Sequence, residues 1–374
     1  MIRTIESFIL HIPVTGSRIA DSTHSISHWG VVGAAITAED GITGYGFTGT
    51  HAHLPSDRII AEAISTLYAP LLLPGGDLAE QADDHPPAVY RRLFRYPPLQ
   101  WVGRAGITQL ALSAVDTALW DLSAKRRELP LWKLLGGDGG RGVTAYNTDI
   151  GWLSYTVDQL EENARRAIDD GFRAIKLKVG SPNLIDDIRR CGAVRRAVGD
   201  SILIATDANG RWDLPTAQRF ARETEDLDLL WIEEPLWHDD VEAHAELAAT
   251  THLPIALGEQ IYTPEGLSQF MSRRGIHYVQ PDTTRIGGVT GFLQAATHAE
   301  SVGLPVAGHA GEMSQVHVHL AHALANHTIL EYIPWIAHAF TDPATVVDGD
   351  FRPPSEPGAG TTPTPTAITE YRVE

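Results

Sequence analysis

Residues 202–259 contain I-L-I-A-T-D-A-N (202–209), L-L-W-I-E-E-P (229–235) and P-I-A-L-G-E (254–259). Each short apolar run reaches a carboxylate, at Asp207, Glu233 and Glu259, and the interval is 26 residues both times (233 minus 207, 259 minus 233). A buried strand, its loop and a returning helix take roughly 30 residues in a (β/α)8 barrel, so this spacing predicts three consecutive parallel strands topped by acids. Neighbouring strands lie about 4.8 Å apart, which gathers the carboxylates at one rim. Three acids that close repel one another unless a cation sits among them, and all-oxygen ligation suits a hard ion such as Mg2+. A metal site is the first expectation.

Working outward, eight apolar runs alternate with helical stretches from Val143 on: V-T-A-Y-N-T, A-I-K-L-K-V, I-L-I-A-T-D, L-L-W-I-E-E, P-I-A-L-G-E, H-Y-V-Q-P-D, L-P-V-A-G-H and T-I-L-E-Y-I. Eight is the number that closes a barrel. Before them, alternation predicts three strands within residues 1–49, and residues 57–95 and 103–126 read as helices, an α+β module. A polar loop carrying Arg18, Asp21, Thr23, His24 and His28 separates the first two strands, and loops of that length are usually functional. After about Phe340 a Pro- and Thr-rich tail leads to A-I-T-E-Y-R-V, read as a segment returning to the first module. The expected organisation is a capping module over 1–136, a barrel over 137–340 and a returning segment over 341–374.

Net charge of −18 argues against nucleic acid or an anionic membrane as partner, since both need basic patches. Cys191 is the only cysteine, which excludes an intrachain disulfide and makes a reducing, cytoplasmic setting the simplest expectation. Its context, D-I-R-R-C-G-A-V-R-R, reads as a packed helix position. Arg3 and Glu6 interrupt what would have to be the apolar core of a signal peptide. No G-x-G-x-x-G opens a helix after a strand, so nucleotide binding is disfavoured.

Further polar residues end the other runs. Lys176 and Lys178 share one strand face, being two apart; Asp282, His309 and Glu331 follow. One such residue means little, but eight polar strand ends in register are costly to bury unpaired. Asp282, on the strand before His309, is placed to orient and support its imidazole. Asn209 shares the face of Asp207 and is placed to touch metal or substrate, and Tyr146, Asn147 and Thr148 end the first run, where their hydroxyl and amide groups suit substrate hydroxyls or a loop cap. Glu234 points away from Glu233 in a regular strand, toward a buried supporting role. His317, His319 and His322, on a helical stretch without acids, read as packing or solvent-facing residues rather than a second metal site.

The motifs A-I-K-L-K-V-G, D-A-N-G-R-W, W-I-E-E-P-L, L-G-E-Q and Q-P-D-T-T-R-I-G-G-V-T, with His309 and Glu331 in order, resemble the enolase superfamily and within it the mandelate racemase subgroup. That resemblance spans nearly the whole chain. It implies a TIM-like α/β barrel of the (β/α)7β kind under an N-terminal α+β cap that the C-terminal tail completes. It implies Mg2+ on Asp207, Glu233 and Glu259, Lys178 as a base on one substrate face, and His309 paired with Asp282 on the other. Lys176 and Glu331 would hold the substrate carboxylate, with Glu331 protonated. The chemistry implied is abstraction of the proton α to a carboxylate, whose enolate needs preorganised positive charge.

The stretch A-Y-N-T-D-I-G-W-L-S-Y-T-V-D-Q-L looks most like galactarate and talarate dehydratases of the subgroup, and the polar loop with Arg18, His24 and His28 suits a hydroxyl-rich ligand. The expected reaction is loss of water from an acid sugar, an aldonate or an aldarate such as galactarate, to a 2-keto-3-deoxy acid. Racemisation, epimerisation or cycloisomerisation of a hydroxy acid is the alternative, and a non-catalytic binding protein the remote one. Relatives of this kind form homo-oligomers, dimers or octamers.

Overall fold

The computed structural model describes residues 1–374 apart from 15–18, 81–84, 141, 312 and 374. Arg18 therefore lies outside the described residues. Runs of β-branched and aromatic residues form β1 (Ile2–Pro13), β2 (His28–Ala38) and β3 (Thr43–His51), an antiparallel sheet. A terminal strand, Arg372–Val373, covers the outer edge of β1, so the tail returns to this sheet as expected.

Helix α1 (Ile107–Arg126) is buried continuously from Gln109 to Ala124. A helix apolar on nearly every face must be covered on every face: α1 packs on β3 and on α2 (Gly288–Ser301) of the second module. Contact with β3 is close enough that a Cβ at Gly46 would fall 2.1 Å from the Ala114 carbonyl oxygen. On the other side, Asp116 accepts hydrogen bonds from the Thr290 amide (2.8 Å) and hydroxyl (2.7 Å), and Ser113 Oγ accepts from the Gly287 amide (2.9 Å). Gly288 has φ +79°, and a Cβ there would meet Asp116 at 2.6 Å. The R-I-G-G turn therefore docks the barrel onto the cap.

Strands β4 (Val143–Asn147), β5 (Ala174–Lys178), β6 (Leu203–Asp207), β7 (Trp231–Glu233), β8 (Ile255–Leu257) and β9 (Tyr278–Val279) pair in parallel in sequence order. Strand β10 (Ile329–Tyr332) pairs in parallel with β4 and closes the circle. The seventh of the eight expected strands is not a regular one. There the ladder shrinks to Val306, which bridges Val279 and His327, because Pro305 has no N–H to donate and Gly308 has no side chain to pack. A hairpin at Val346–Val347 and Asp350–Phe351 pairs antiparallel with the start of β4.

Alternation along these strands stacks the barrel interior in layers. Tyr146, Ala174, Ala205, Trp231, Ala256, Ala307 and Ile329 form an apolar layer with Tyr278, large residues set against alanines. Two residues further along the strands the same inward direction delivers Thr148, Lys176, Asp207, Glu233 and Glu331, all 0% exposed. Cys191 is buried on the helix Leu184–Val198, where burial pushes its thiol up to about 12, in keeping with packing. Among the described residues no helix is long and apolar enough to cross a membrane.

Candidate active site

Asp207, Glu233 and Glu259 converge as the spacing predicts. Each is buried, and each offers a carboxylate oxygen within 4.8 Å of the others'. The all-oxygen donor set and the excess of buried negative charge fit a hard divalent cation. Glu233 accepts from Lys176 Nζ (2.8 Å), Gln280 Nε2 (2.8 Å) and Trp231 Nε1 (3.3 Å). Burial nevertheless raises its carboxyl to about 8, against the pull of Lys176, and Asp207 and Glu331 add to the rise.

Two cationic arms stand at the ends of this row of acids. Lys178 Nζ lies 2.5 Å from Asp207 Oδ2 and 5.5 Å from the centre of the Trp152 ring. Burial opposes its charge, but Asp207 prevails and the ammonium is held above the ordinary lysine range. At the other end His309 Nε2 lies 2.9 Å from Glu259 Oε2, and Nδ1 is 2.6 Å from Asp282 Oδ2. Burial disfavours the imidazolium, yet Glu259, Glu331 and Asp282 together hold His309 well above its ordinary value. Asp282 is itself fixed, since Oδ1 accepts from the Thr284 amide (2.7 Å) and hydroxyl (2.8 Å).

Lys176 bridges Glu233 and Glu331, 2.7 Å from the latter. Glu331 also accepts from the Thr148 hydroxyl (2.7 Å) and the Ala310 amide (3.2 Å). Against the effect of burial, Lys176 and His309 draw it down to about 2. This downward shift, set by Lys176 and His309, runs against the protonated Glu331 expected from sequence.

Above these groups lies a cavity of about 450 Å3, bounded by Lys178, Asn209, Glu259, His309 and Glu331 below and by the cap above. The short ladder Ile19–Ala20 with Ser25–Ile26 presents Asp21, Thr23 and His24 to it. Asp21 Oδ1 accepts from the amides of Thr23 and His24, both at 2.6 Å, and the pairing with Asp21 raises the His24 pKa. Ser22 donates to the Ala208 carbonyl (2.9 Å) and Leu153 to that of Ala20 (2.9 Å), so this loop sits down on the barrel mouth.

Three expected substrate contacts are not brought to the cavity. His28 is exposed at the start of β2: alternation sends its neighbour Trp29 inward and His28 to solvent. Thr148 is spent on Glu331, and Asn147, the outward neighbour of Tyr146 on β4, is absent from the cavity wall. Conversely His51, Trp29, Trp152, Glu234 and His238 line the cavity without having been singled out as ligand contacts. His51 accepts from Arg285 (2.6 Å), and its ring centre is 6.2 Å from that of His309. The polar stretch T-H-A-H (50–53) at the end of the third strand was its only signal.

A capped barrel with three converging acids, flanked by a lysine and a carboxylate-backed histidine, belongs to the class of metal-assisted carbon-acid enzymes. Residues 4–136 match the mandelate racemase / muconate lactonizing enzyme N-terminal domain, and residues 159–367 the enolase C-terminal domain-like family. This chain belongs to the enolase superfamily, whose enzymes abstract the proton α to a carboxylate with the help of Mg2+. It is 35% identical over 354 residues to L-talarate/galactarate dehydratase of Salmonella typhimurium, covering 91% of this chain and 82% of the relative. It is equally 35% identical over 366 residues to 3,6-anhydro-alpha-L-galactonate cycloisomerase of Streptomyces coelicolor, covering 96% of both. The crystal structure of the Salmonella dehydratase with Mg and L-lyxarohydroxamate superposes with a TM-score of 0.89 at 33% identity, over 100% of this chain and 93% of that one.

Proposed function

We propose that the chain dehydrates an acid sugar, an aldonate or aldarate, to a 2-keto-3-deoxy acid. The observation that carries this reading is the pair of proton-transfer groups, Lys178 and the Asp282–His309 couple, at opposite ends of the three-acid row in a polar, capped cavity. Lys176, with Thr148 and Ala310 behind Glu331, prepares a cradle for the substrate carboxylate. Mg2+ on Asp207, Glu233 and Glu259 would supply positive charge opposite the developing enolate and take up the Asp207 carboxylate that now holds Lys178 protonated.

The Cα–H bond breaks and its electron pair becomes the enolate. The proton passes to Lys178 or His309, whichever faces it in the substrate's configuration. The Cβ–O bond then breaks, and the hydroxyl leaves as water with a proton from the other group, or from the same one if elimination is syn. Tautomerisation of the resulting enol gives the 2-keto-3-deoxy acid. Incubation with Mg2+ and a panel of aldonates and aldarates, read by semicarbazide absorbance, tests the reading; no 2-keto product from any of them sinks it.

The second reading is isomerisation, favoured by the likeness to the cycloisomerase, which is as high as that to the dehydratase. It would show as exchange of the α-proton in deuterated water, or consumption of an anhydro-aldonate, without a 2-keto-3-deoxy product.

A further inference from the structure

One pair of side chains on the cavity wall has no task in the chemistry above. Glu234 follows the Glu233 carboxylate at the end of β7 and lines the cavity, although it is only 1% exposed to solvent. Its backbone has φ +41°, in the left-handed region that a non-glycine residue rarely occupies. The strand stops there, which breaks the alternation that would have turned Glu234 away. Gly210 donates its amide to the Glu234 carbonyl at 2.7 Å and Glu234 donates its own to Ala256 at 3.0 Å, so the strained turn is held from both sides.

Neither Glu234 oxygen has a hydrogen-bond partner among the described residues. His238 Nδ1, equally without one, stands 3.6 Å from Oε1, beyond hydrogen-bonding length. A buried carboxylate without donors is a costly arrangement, and it persists where something else supplies them. Glu234 belongs to neither group of side chains close enough to share a metal ion. By contrast Asp21 and His24, across the cavity, already satisfy each other.

We infer that Glu234 and His238 form a substrate-binding subsite for the hydroxyls of the ligand chain beyond the reacting carbons. A carboxylate presents two acceptor oxygens side by side, the match for two adjacent O–H donors of a polyol, and His238 adds a third polar contact. Trp237, 62% exposed at the cavity mouth with its ring centre 4.8 Å from that of His238, offers an apolar face to the carbon chain. This subsite rests on the acid-sugar reading and deepens it: it selects polyhydroxy acids over short hydroxy acids that share the same reacting end.

The test is calorimetric binding to the Mg2+-loaded protein and its Glu234→Gln variant. The probes are a set of hexarates and hexonates, and 2-hydroxyadipate, which keeps the carboxylate and α-hydroxyl but lacks the further hydroxyls. Glu234→Gln is expected to weaken the best-bound polyol about tenfold to a hundredfold, the scale of hydrogen bonds to a charged group. Affinity for 2-hydroxyadipate and for Mg2+ stays unchanged. Equal weakening of both acids, a loss of Mg2+ affinity, or an unaffected polyol overturns the inference while leaving the acid-sugar reading standing. If no hexarate or hexonate binds the wild type, that reading fails and the subsite with it. His238→Asn, measured the same way, provides the same contrast should Glu234→Gln not fold.

Discussion

Asp282→Asn isolates the histidine arm of the site. The Asp282–His309 contact is 2.6 Å and fully buried. Two unit charges about 3 Å apart attract by about 5 kcal/mol at an effective dielectric of about 20. Glu259 and Glu331, at 2.9 and 3.5 Å from Nε2, remain in the variant and retain part of that support. Geometry decides the rest. The Thr284 amide and hydroxyl both donate to Oδ1, so an asparagine must keep its oxygen there and turn its NH2 toward Nδ1 of His309. The imidazole then accepts at Nδ1 and carries its proton on Nε2, the reverse of the tautomer a base requires, and the imidazolium loses its partner. Dehydration is expected to fall about a thousandfold or more. For a substrate whose α-proton faces Lys178, exchange of that proton in deuterated water should continue, because Lys178 does not touch Asp282. The assays are product formation, deuterium incorporation by NMR and a thermal melt. Dehydration within about tenfold of wild type in a folded variant would refute the role given to the pair.

Lys178→Ala and His309→Ala should each abolish turnover in Mg2+ without unfolding the protein, as judged by circular dichroism; activity in both would overturn the assignments. Because burial lifts Glu233 to about 8, a proton competes with Mg2+ below that pH, so affinity should rise with pH up to about 8, by at most about tenfold per unit. Calorimetry that shows the same affinity at about pH 6.5 and about pH 8.5 would count against it. His319, whose Nδ1 accepts from the Trp132 amide, is lowered by burial from 6.5 to about 3. The unfolded chain protonates it below 6.5 and the folded chain does not, so stability present at neutral pH is lost as pH falls from 6.5 toward 3, about 2 kcal/mol by about pH 5. Urea melts of His319→Asn should show a shallower acid slope, and an unchanged slope would refute the burial argument.

What was legible in the sequence follows a physical division. The residues that end barrel strands were readable because strand period and βα spacing are local. A run of apolar residues fixes which side chain points inward, and Asp207, Glu233, Lys176 and Lys178 then fall on one rim without any knowledge of the partners. The seventh strand resisted that logic, because Pro305 and Gly308 leave only Val306 in the ladder while His309 still arrives beside Asp282. What a ligand touches beyond the reacting carbons is not local. His28 and His24 are four residues apart in the same polar loop and look equivalent, yet β2 begins at His28 and its alternation turns that side chain to solvent, while the Asp21 turn points His24 into the cavity.

Glu234 failed in the opposite direction: strand alternation would place it away from the cavity, and a left-handed backbone at the strand's last step returns it. Such a conformation is set by its tertiary ties, here Gly210 in the turn after β6 and Ala256 on β8, and no propensity of Glu encodes it. The same reasoning separates the reacting groups from those proposed to select the ligand. Lys176, Lys178 and Asp207 on regular strands belong to the reacting end, as does His309 after the irregular seventh strand, whereas Glu234 and His24, placed by a left-handed turn and by the cap, are the groups proposed for the rest of the ligand. The residues hardest to read from sequence are therefore the ones whose substitution should change which acid is accepted rather than how its proton is removed.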